Sequence, residues 1–189
     1  SNTVYPGYKN YKQLQFGWEN GDQWTPAECD VSIRPGWFYH ETEDSKVKTV
    51  DQLCDLYYRS VGHNATFLLN FPVNKDGLIH PIDSANAVNF HKKIQQELSN
   101  NVLKGITPKT DSQQGKNIGK NMTDGKYDTF WASKTIKGAS IEFRLGKTQE
   151  ISRLMLQEYI PLGQRVKAFT VYYLSLIHIS EPTRRTPIS

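Results

Sequence analysis

Residues 49–69 read TVDQLCDLYYRSVGHNATFLL and contain a helix signal followed closely by a strand signal. The opening Thr49-Val-Asp-Gln52 fits a capping box, in which the threonine hydroxyl and the glutamine side chain satisfy free backbone amides. Apolar side chains then recur at helical spacing, at Val50, Leu53, Cys54, Tyr57 and Val61. Gly62 is a plausible helix stop, and Ala65–Leu69 is short, continuous and apolar, as buried parallel strands are. The stretch therefore predicts a helix that leads into a buried strand.

The sequence on either side repeats this alternation. Val31-Ser-Ile-Arg34 alternates apolar and polar residues and is closed by Pro35-Gly36, which predicts a short strand upstream. Asn74-Lys-Asp-Gly77 predicts a turn. Asp83 is predicted to cap a last helix, whose apolar positions are Ala87, Phe90, Ile94 and Leu98. Strand, helix, strand and helix favour a parallel α/β array. Two such units cannot close a barrel, so the array is expected to begin upstream.

The composition and the hydrophobic pattern of the sequence change after Asn100. Residues 101–120 are rich in Asn, Lys, Gly, Ser and Gln, which predicts a linker or loop. Period-two runs follow and predict strands, at Ile141–Leu145, Ile151–Leu156 and Val166–Tyr173. Short strands with Gly-rich turns favour a β-sandwich, and three of them are too few to complete one. We therefore assign residues 1–100 to an α/β part and residues 121–173 to a partial β-sandwich.

Composition excludes several classes of protein. The 189 residues are 37% hydrophobic and 22% charged, with 13 Gly and 9 Pro, so the chain is neither collagen-like nor an extreme disordered chain. A net charge of +4, spread along the chain, does not favour a nucleic-acid partner. No apolar run reaches the roughly 20 residues that span a bilayer. Cys29 and Cys54 lack metal-ligand spacing and are either two buried thiols or a pair in an oxidising compartment. The sequence shows no phosphate-binding glycine motif and no signal peptide.

The end of the chain is unlike the rest of it. From Leu174 the sequence reads LSLIHISEPTR, which resembles the translation of the transposon-end adapter used in sequencing libraries. Residues 174–189 are therefore excluded from the fold as a read-through segment. The alternative is a natural C-terminal strand, since Leu176, Ile177 and Ile179 would suit one. With the tail removed, the natural sequence is expected to break off at Tyr173.

Residues 24–40 hold the densest set of chemically useful groups, with two carboxylates, an arginine, a histidine and several aromatic rings. The block lies around the end of a predicted strand, where α/β barrels place their active sites. Trp37 and Phe38 offer flat faces to the apolar face of a sugar. Glu28 and Asp30 can accept hydroxyl hydrogen bonds or transfer protons. The structural alternative assigns the block to the fold, with Trp37 in the core, Arg34 paired with Asp30, and His40 in a loop.

Four ordered runs of the first part resemble α-L-fucosidases of glycoside hydrolase family 29. They are PAECDVSIRPGWF from Pro26, LYYRSVG from Leu56, FLLNFP from Phe67 and DGLI from Asp76. The most similar branch acts on α-1,3/1,4-linked fucose and includes plant and gut-bacterial members. In the second part, NMTDGKYDTFWA from Asn121 resembles the opening of a discoidin-like (F5/8 type C) sandwich, and LQEYIPLGQRV from Leu156 recurs in bacterial members. The resemblance covers Ser1 to Tyr173.

This resemblance implies that residues 1–100 are the C-terminal portion of a (β/α)8-type catalytic barrel, followed by a partial discoidin-like sandwich. It also implies a retaining mechanism, in which an aspartate attacks the anomeric carbon and a second carboxyl group acts as acid and then base. The family's nucleophile lies in a Trp-x-Asp-Gly-Ala type of motif, and a fucose-binding arginine lies in an Arg-Trp-x-Gly-Asn-Glu type of motif. Neither motif occurs in this sequence. The chain alone is therefore expected to be inactive.

The resemblance also implies site residues and partners. Trp37 matches the aromatic residue that packs against fucose in family members. For Glu28 three roles stay open: general acid/base, lining or supporting the site, and support of the fold alone. The expected partners are fucosylated glycans, with no cofactor and no metal, and the parent protein is expected to be secreted or periplasmic.

The sandwich part supports an alternative function, a non-enzymatic carbohydrate-binding module of discoidin type. Discoidin-like domains bind through variable loops, whereas Asp124, Tyr127 and Trp131 resemble scaffold positions of that fold. These three residues are therefore expected to be structural, and the sequence names no sugar contact in this part of the chain.

Overall fold

The computed structural model of the chain describes residues 21–136 and 138–173. The predictions made for the adapter-like tail, residues 174–189, lie outside the described residues. The chain divides into two compact units, Ser1–Asn100 and Asn101–Ser189. We call them the first unit and the second unit, and each is described by itself.

The first unit contains two parallel strands joined through a helix, and a second helix follows. Its elements are β1 (Glu28–Ser32), α1 (Val50–Ser60), β2 (Thr66–Asn70) and α2 (Pro81–Leu98), with short 3-10 segments at Glu41–Lys46 and Val61–His63. β1 and β2 pair in register, from Glu28 opposite Thr66 to Ser32 opposite Asn70. The predicted alternation of strand and helix is confirmed here. β1 ends at Ser32, so Arg34 lies beyond the strand in which it was predicted.

Helix α1 begins at the predicted capping box and ends just before the predicted glycine. The Thr49 hydroxyl accepts a hydrogen bond from the Gln52 amide at 3.3 Å, and the Gln52 side chain accepts one from the Thr49 amide at 2.9 Å. The capping box is therefore confirmed. The α-helix ends at Ser60 with Val61 as its C-cap, so Gly62 follows the cap directly, where a glycine stop is expected. The chain then continues as a 3-10 turn through His63. Asn64, with φ 65°, takes the left-handed conformation that turns the chain toward β2.

The core of the first unit lies between the sheet and the helices. Ile33, Val47 and Leu53 form a buried cluster, against which Leu69, Phe71 and Phe90 pack. The opposite face of the sheet carries Glu28, Asp30 and Ser32 of β1 beside Thr66, Leu68 and Asn70 of β2, because alternate residues of a strand share a face. Leu68 on this second face is 50% exposed.

The start of α2 corrects a prediction. Asp83 does not cap this helix, since the helix begins at Pro81 and the capping residue is His80. The His80 Nδ1 atom accepts a hydrogen bond from the Ile82 amide at 3.3 Å. Proline is favoured at the first helical position, because the amide that it lacks would have had no partner there. Pro81 takes that position, and the residue before it, His80, is the cap. Asp83 lies fully buried in the first turn, where a different partner holds it.

The second unit contains a short antiparallel pair, β3 (Lys109–Thr110) beside β4 (Ile141–Glu142), and 3-10 turns at Gly119–Met122 and Ile160–Leu162. Residues 101–120 were predicted as a linker or loop, but they contribute β3 and pack within this unit. Gly119 is buried there, and a Cβ atom on it would lie 3.1 Å from the Thr110 side chain and 3.2 Å from the Pro108 carbonyl oxygen. The linker prediction therefore needs correction, because small and polar residues here form close packing.

Most of the strands predicted for the second unit are not formed in the described residues. β4 includes only two residues of the predicted Ile141–Leu145, and Ile151–Leu156 and Val166–Tyr173 contain no strand. A strand is defined by hydrogen bonds to a neighbour, and these segments find none. Their apolar side chains remain 41–58% exposed: Ile151, Leu154, Leu156, Val166, Phe169 and Val171. The apolar pattern is present without the partners that a sandwich would supply.

Two further features of the described residues bear on the sequence analysis. Neither α1 nor α2 combines the length and the apolar character that a membrane-crossing helix requires. Cys29 is half-buried and Cys54 is buried, and no disulfide joins them.

Candidate functional site

The segment after β1 lies at the carboxyl ends of both strands. It runs from Ile33 to His40 and carries Trp37 and Phe38, and Asn70, the last residue of β2, reaches it by a hydrogen bond. We call residues 33–40 the aromatic turn. Parallel α/β proteins place their ligand sites at this end of the strands. The geometry of the aromatic turn therefore decides what this unit can bind.

Side chains hold the main chain of the aromatic turn. The Ser32 hydroxyl donates to the Gly36 carbonyl at 2.6 Å, and the Asn70 amide donates to the Trp37 carbonyl at 3.2 Å. A third carbonyl, that of His40, accepts a hydrogen bond from Arg34 Nη1 at 3.3 Å. Hydrogen bonds from side chains satisfy backbone groups that have no place in a helix or sheet. The turn is thus fixed without regular secondary structure.

Arg34 is the buried centre of a charge cluster. Its Nε and Nη2 atoms donate to the two carboxylate oxygens of Asp83 at 2.8 and 2.9 Å, and its Nη1 atom donates to Asp44 at 2.8 Å. Both the Arg34 and the Asp83 side chains are fully buried. The hydrogen bond to Asp83 raises the pKa of Arg34, against the effect of burial, and Asp44 adds to the rise. The suggested pairing of Arg34 with Asp30 is wrong, because Asp30 lies in β1 on the exposed face of the sheet.

Tyr39 and His80 complete this cluster. The Arg34 guanidinium lies 4.5 Å from the centre of the Tyr39 ring, within the range of a cation–π contact. The Tyr39 and His80 rings lie 6.0 Å apart, and His80 Nε2 is 3.6 Å from Asp44. Partial burial and the nearby Asp44 raise the pKa of Tyr39. The cluster ties the aromatic turn to the first turn of α2.

The structure separates the two candidate site residues. Trp37 is 52% exposed at the carboxyl end of β1 and does not lie in the core, so its ring face is accessible. Glu28 is exposed at the amino end of the same strand, four residues before Ser32. At about 3.3 Å per residue this places Glu28 about 13 Å from the carboxyl end of the strand. Trp37 and Glu28 are therefore not brought together, and their assigned roles stay predictions.

Sequence reasoning missed the residues that organise the aromatic turn. Asp44, Asn70 and Asp83 lie outside the block from which candidates were drawn, and Asp83 is 49 positions from Arg34. Glu43 was also missed, and its Oε2 atom is buried with no hydrogen-bond partner among the described residues. The one available signal was the cluster of acidic residues at 41–44, which alone does not name a partner. Within residues 21–136 and 138–173, no group of three or more His, Cys, Asp or Glu side chains could hold a metal ion.

One loop of the second unit presents an aromatic side chain. Asp124 accepts hydrogen bonds from the Lys126 amide at 2.9 Å and the Thr129 hydroxyl at 2.7 Å, and these two bonds lower the pKa of Asp124. The Trp131 indole donates to the Ser112 carbonyl at 3.0 Å. The scaffold prediction is thus confirmed for Asp124 and Trp131. Tyr127 is 80% exposed on this loop, so packing gives its predicted structural role no support, and that role stays a prediction.

Comparisons with known sequences give two consistent results. Residues 106–175 match the sequence model of the F5/8 type C domain. Two plant proteins, from Oryza sativa subsp. japonica and Arabidopsis thaliana, are 37% and 36% identical to the chain over 179 and 165 residues. These matches cover 91% and 85% of the chain, and the Arabidopsis protein is named alpha-L-fucosidase 1. The chain spans about a third of the length of these relatives, 34% and 32%.

Solved structures give the same result. SpGH29 is 31% identical with a TM-score of 0.67, and the Ruminococcus gnavus GH29 fucosidase, solved in complex with fucose, is 36% identical with a TM-score of 0.63. The matches cover 72% and 69% of this chain, and 30% and 27% of the two solved chains. Sequence and structure therefore agree on the relatives of this chain.

Proposed function

We propose that the first unit of this chain supplies part of a fucose-binding site, because the chain belongs to the α-L-fucosidases of glycoside hydrolase family 29. It spans about a third of the length of its relatives. The observation that carries the proposal is the half-exposed ring of Trp37 at the carboxyl ends of two parallel strands. A flat aromatic ring suits the apolar face of a deoxy sugar. The complex of the R. gnavus relative with fucose supports this choice of ligand.

The whole enzyme in this proposal is a retaining glycosidase that removes terminal α-1,3/1,4-linked L-fucose from glycans. Its barrel includes β1, α1, β2 and α2 as the C-terminal strand and helix units. An aspartate supplied by another part of the barrel attacks the anomeric carbon, and a second carboxyl group protonates the leaving oxygen. Of the roles left open for Glu28, support of the fold fits best, since the length of β1 separates Glu28 from Trp37. Secretion or a periplasmic location is proposed from the family alone.

The 189-residue chain by itself is expected to show no hydrolysis of an aryl α-L-fucoside above the rate in buffer. The physical reason is that the sequence contains no Trp-x-Asp-Gly-Ala type of motif to supply the nucleophile. The measurement is release of the aryl alcohol over long incubation at high chain concentration. Hydrolysis that a single Asp→Asn substitution in the chain abolishes would contradict this account of the missing nucleophile.

A second candidate function, carbohydrate binding by the second unit, is favoured by the exposed Tyr127 on a loop that Asp124 holds in place. Glycan binding by residues 101–173, lost on Tyr127→Ala and absent from residues 1–100, would support it. The matched control is Tyr172→Ala, because Tyr172 is 55% exposed in the same unit and lies outside that loop. Glycan binding that is confined to residues 1–100 would exclude it.

A further inference from the structure

We propose that Asn70 is a positioning residue for Trp37: its side-chain amide fixes the aromatic turn and thereby the ring that meets the sugar. The inference rests on the proposed function for its consequence, because Trp37 is the fucose contact of that proposal. Asn70 itself does not have to touch the sugar. Its role is argued from hydrogen bonds at the carboxyl ends of β1 and β2.

Asn70 joins three parts of the site at once. Its side-chain nitrogen donates to the Trp37 carbonyl at 3.2 Å and to the Ser32 hydroxyl at 3.2 Å. Its main-chain carbonyl accepts a hydrogen bond from the Ile33 amide at 3.0 Å. Ser32 in turn donates to the Gly36 carbonyl at 2.6 Å. The last residue of β2 thus holds both the beginning and the middle of the aromatic turn.

The aromatic turn needs such a hold because other forces on it are weak. Trp37 is 52% exposed and Phe38 is 78% exposed, so packing restrains their rings little. Among the described residues, no hydrogen bond between main-chain groups involves positions 35–38. The carbonyls of Gly36 and Trp37 therefore depend on the Ser32 and Asn70 side chains. Without the Asn70 donor, the Trp37 carbonyl has only solvent, and the peptide unit is free to rotate.

The amide group is required because the two hydrogen bonds of Asn70 need a donor. In Asn70→Asp the carboxylate can donate neither to the Trp37 carbonyl nor to the Ser32 hydroxyl, whose own proton is used in the hydrogen bond to Gly36, and it repels both oxygens. The shape of the side chain is unchanged, but the variant adds a negative charge as well as removing the donor; Asn70→Ala removes the donor without the charge and separates the two effects. Asn89→Asp is the matched control, because Asn89 is exposed on α2 and its side chain makes no hydrogen bond among the described residues.

The test is fluorine NMR of the full chain, whose four tryptophans are labelled as 5-fluorotryptophan. The Trp37 resonance is assigned by its disappearance in Trp37→Phe. We expect a single narrow Trp37 line in the unsubstituted chain and in the control variant Asn89→Asp. In Asn70→Asp we expect the Trp37 line to broaden or split, while the Trp131 line and the thermal unfolding midpoint stay the same.

An equally narrow and unshifted Trp37 line in Asn70→Asp would overturn the proposal. If Asn70→Asp does not fold, Asn70→Ala, which adds no charge, takes its place with the same expectation. Loss of folding in both variants would also overturn it, since Asn70 would then be required for the fold and not for the turn. The proposed function is tested separately, by replacing Trp37. If Asn70 orders Trp37 but replacing Trp37 leaves fucose recognition unchanged, the sugar contact is refuted and the positioning role of Asn70 stands.

Discussion

Asp83→Ala is expected to lower the free energy of unfolding of the first unit by about 3–5 kcal/mol, because it leaves a buried arginine without its bidentate partner. Both side chains of the Arg34–Asp83 pair are fully buried, and two hydrogen bonds of 2.8 and 2.9 Å join them. Removing one partner of such a pair exposes the full desolvation cost of the other. The measurement is urea unfolding of the full chain, followed by far-UV circular dichroism.

The control and the double variant separate this cause from a general effect of losing a carboxylate. Asp55→Ala removes an exposed partner of Arg59, with side chains 64% and 74% exposed, and is expected to change stability by no more than about 0.5 kcal/mol. Arg34→Met combined with Asp83→Leu should cost less than the sum of the two single changes, because neither charge is then buried alone. A loss below about 1 kcal/mol in Asp83→Ala would show that Asp44 alone satisfies Arg34.

This cluster shows how far local sequence patterns reach. The capping box at Thr49 and the helical spacing of Leu53 and Cys54 involve residues close in the chain, and the structure confirms the helix that they predict. Asp83 is an equally local signal for a helix start, since aspartate is a common cap. Its actual partner is 49 residues away. A residue type that suits both roles cannot be assigned without the fold that brings Arg34 to it.

The second unit shows the opposite limit. Alternation of apolar and polar residues at 141–145 and 166–173 predicts strands because each such segment could cover a core. Strand formation also requires a neighbour, and among the described residues of the second unit the only paired strands are β3 and β4. For residues 101–120 the sequence predicted too little structure. Their composition is typical of a linker, yet Gly119 and Pro108 pack closely there.

The sequence predicted where the candidate site lies, but not how its side chains are arranged. The run from Pro26 to Phe38 located the carboxyl end of a strand, and Trp37 is exposed there. The strand begins earlier than its pattern suggests, and this shift moves Glu28 to the far end of β1. Asn70 had no signal of its own, since a polar residue that ends a strand is common, and only the distance to the Trp37 carbonyl identifies it.

Trp37→Ala is expected to lower kcat/KM for an aryl α-L-fucoside by roughly thirtyfold, corresponding to about 2 kcal/mol, the loss typical of a tryptophan at the centre of a binding site. Because the chain alone is expected to be inactive, the change is made in a graft. In this graft, residues 21–100 replace the segment that they match in the R. gnavus fucosidase. Trp37→Phe keeps a smaller flat face, so its kcat/KM should lie between that of the unsubstituted graft and that of Trp37→Ala.

Trp24→Ala is the matched control for this prediction, because Trp24 has the same exposed fraction as Trp37, 52%, and lies before the amino end of β1. It is expected to leave kcat/KM within about twofold of the unsubstituted graft, as truncation of a side chain outside the binding site does. Equal losses in the two variants would show that the effect of Trp37 is structural, and thermal unfolding of both grafts distinguishes that outcome from a lost sugar contact.

The central claim is that this chain is a working segment of a fucosidase site, and the most direct measurement is the hydrolysis of an aryl α-L-fucoside by the unsubstituted graft. We predict that the graft folds cooperatively and hydrolyses the fucoside, because the aromatic turn, the Arg34–Asp83 pair and Asn70 hold Trp37 at the carboxyl ends of β1 and β2. A graft that unfolds in one cooperative transition, and yet shows no hydrolysis above that of a graft lacking the host's nucleophile, would contradict the claim.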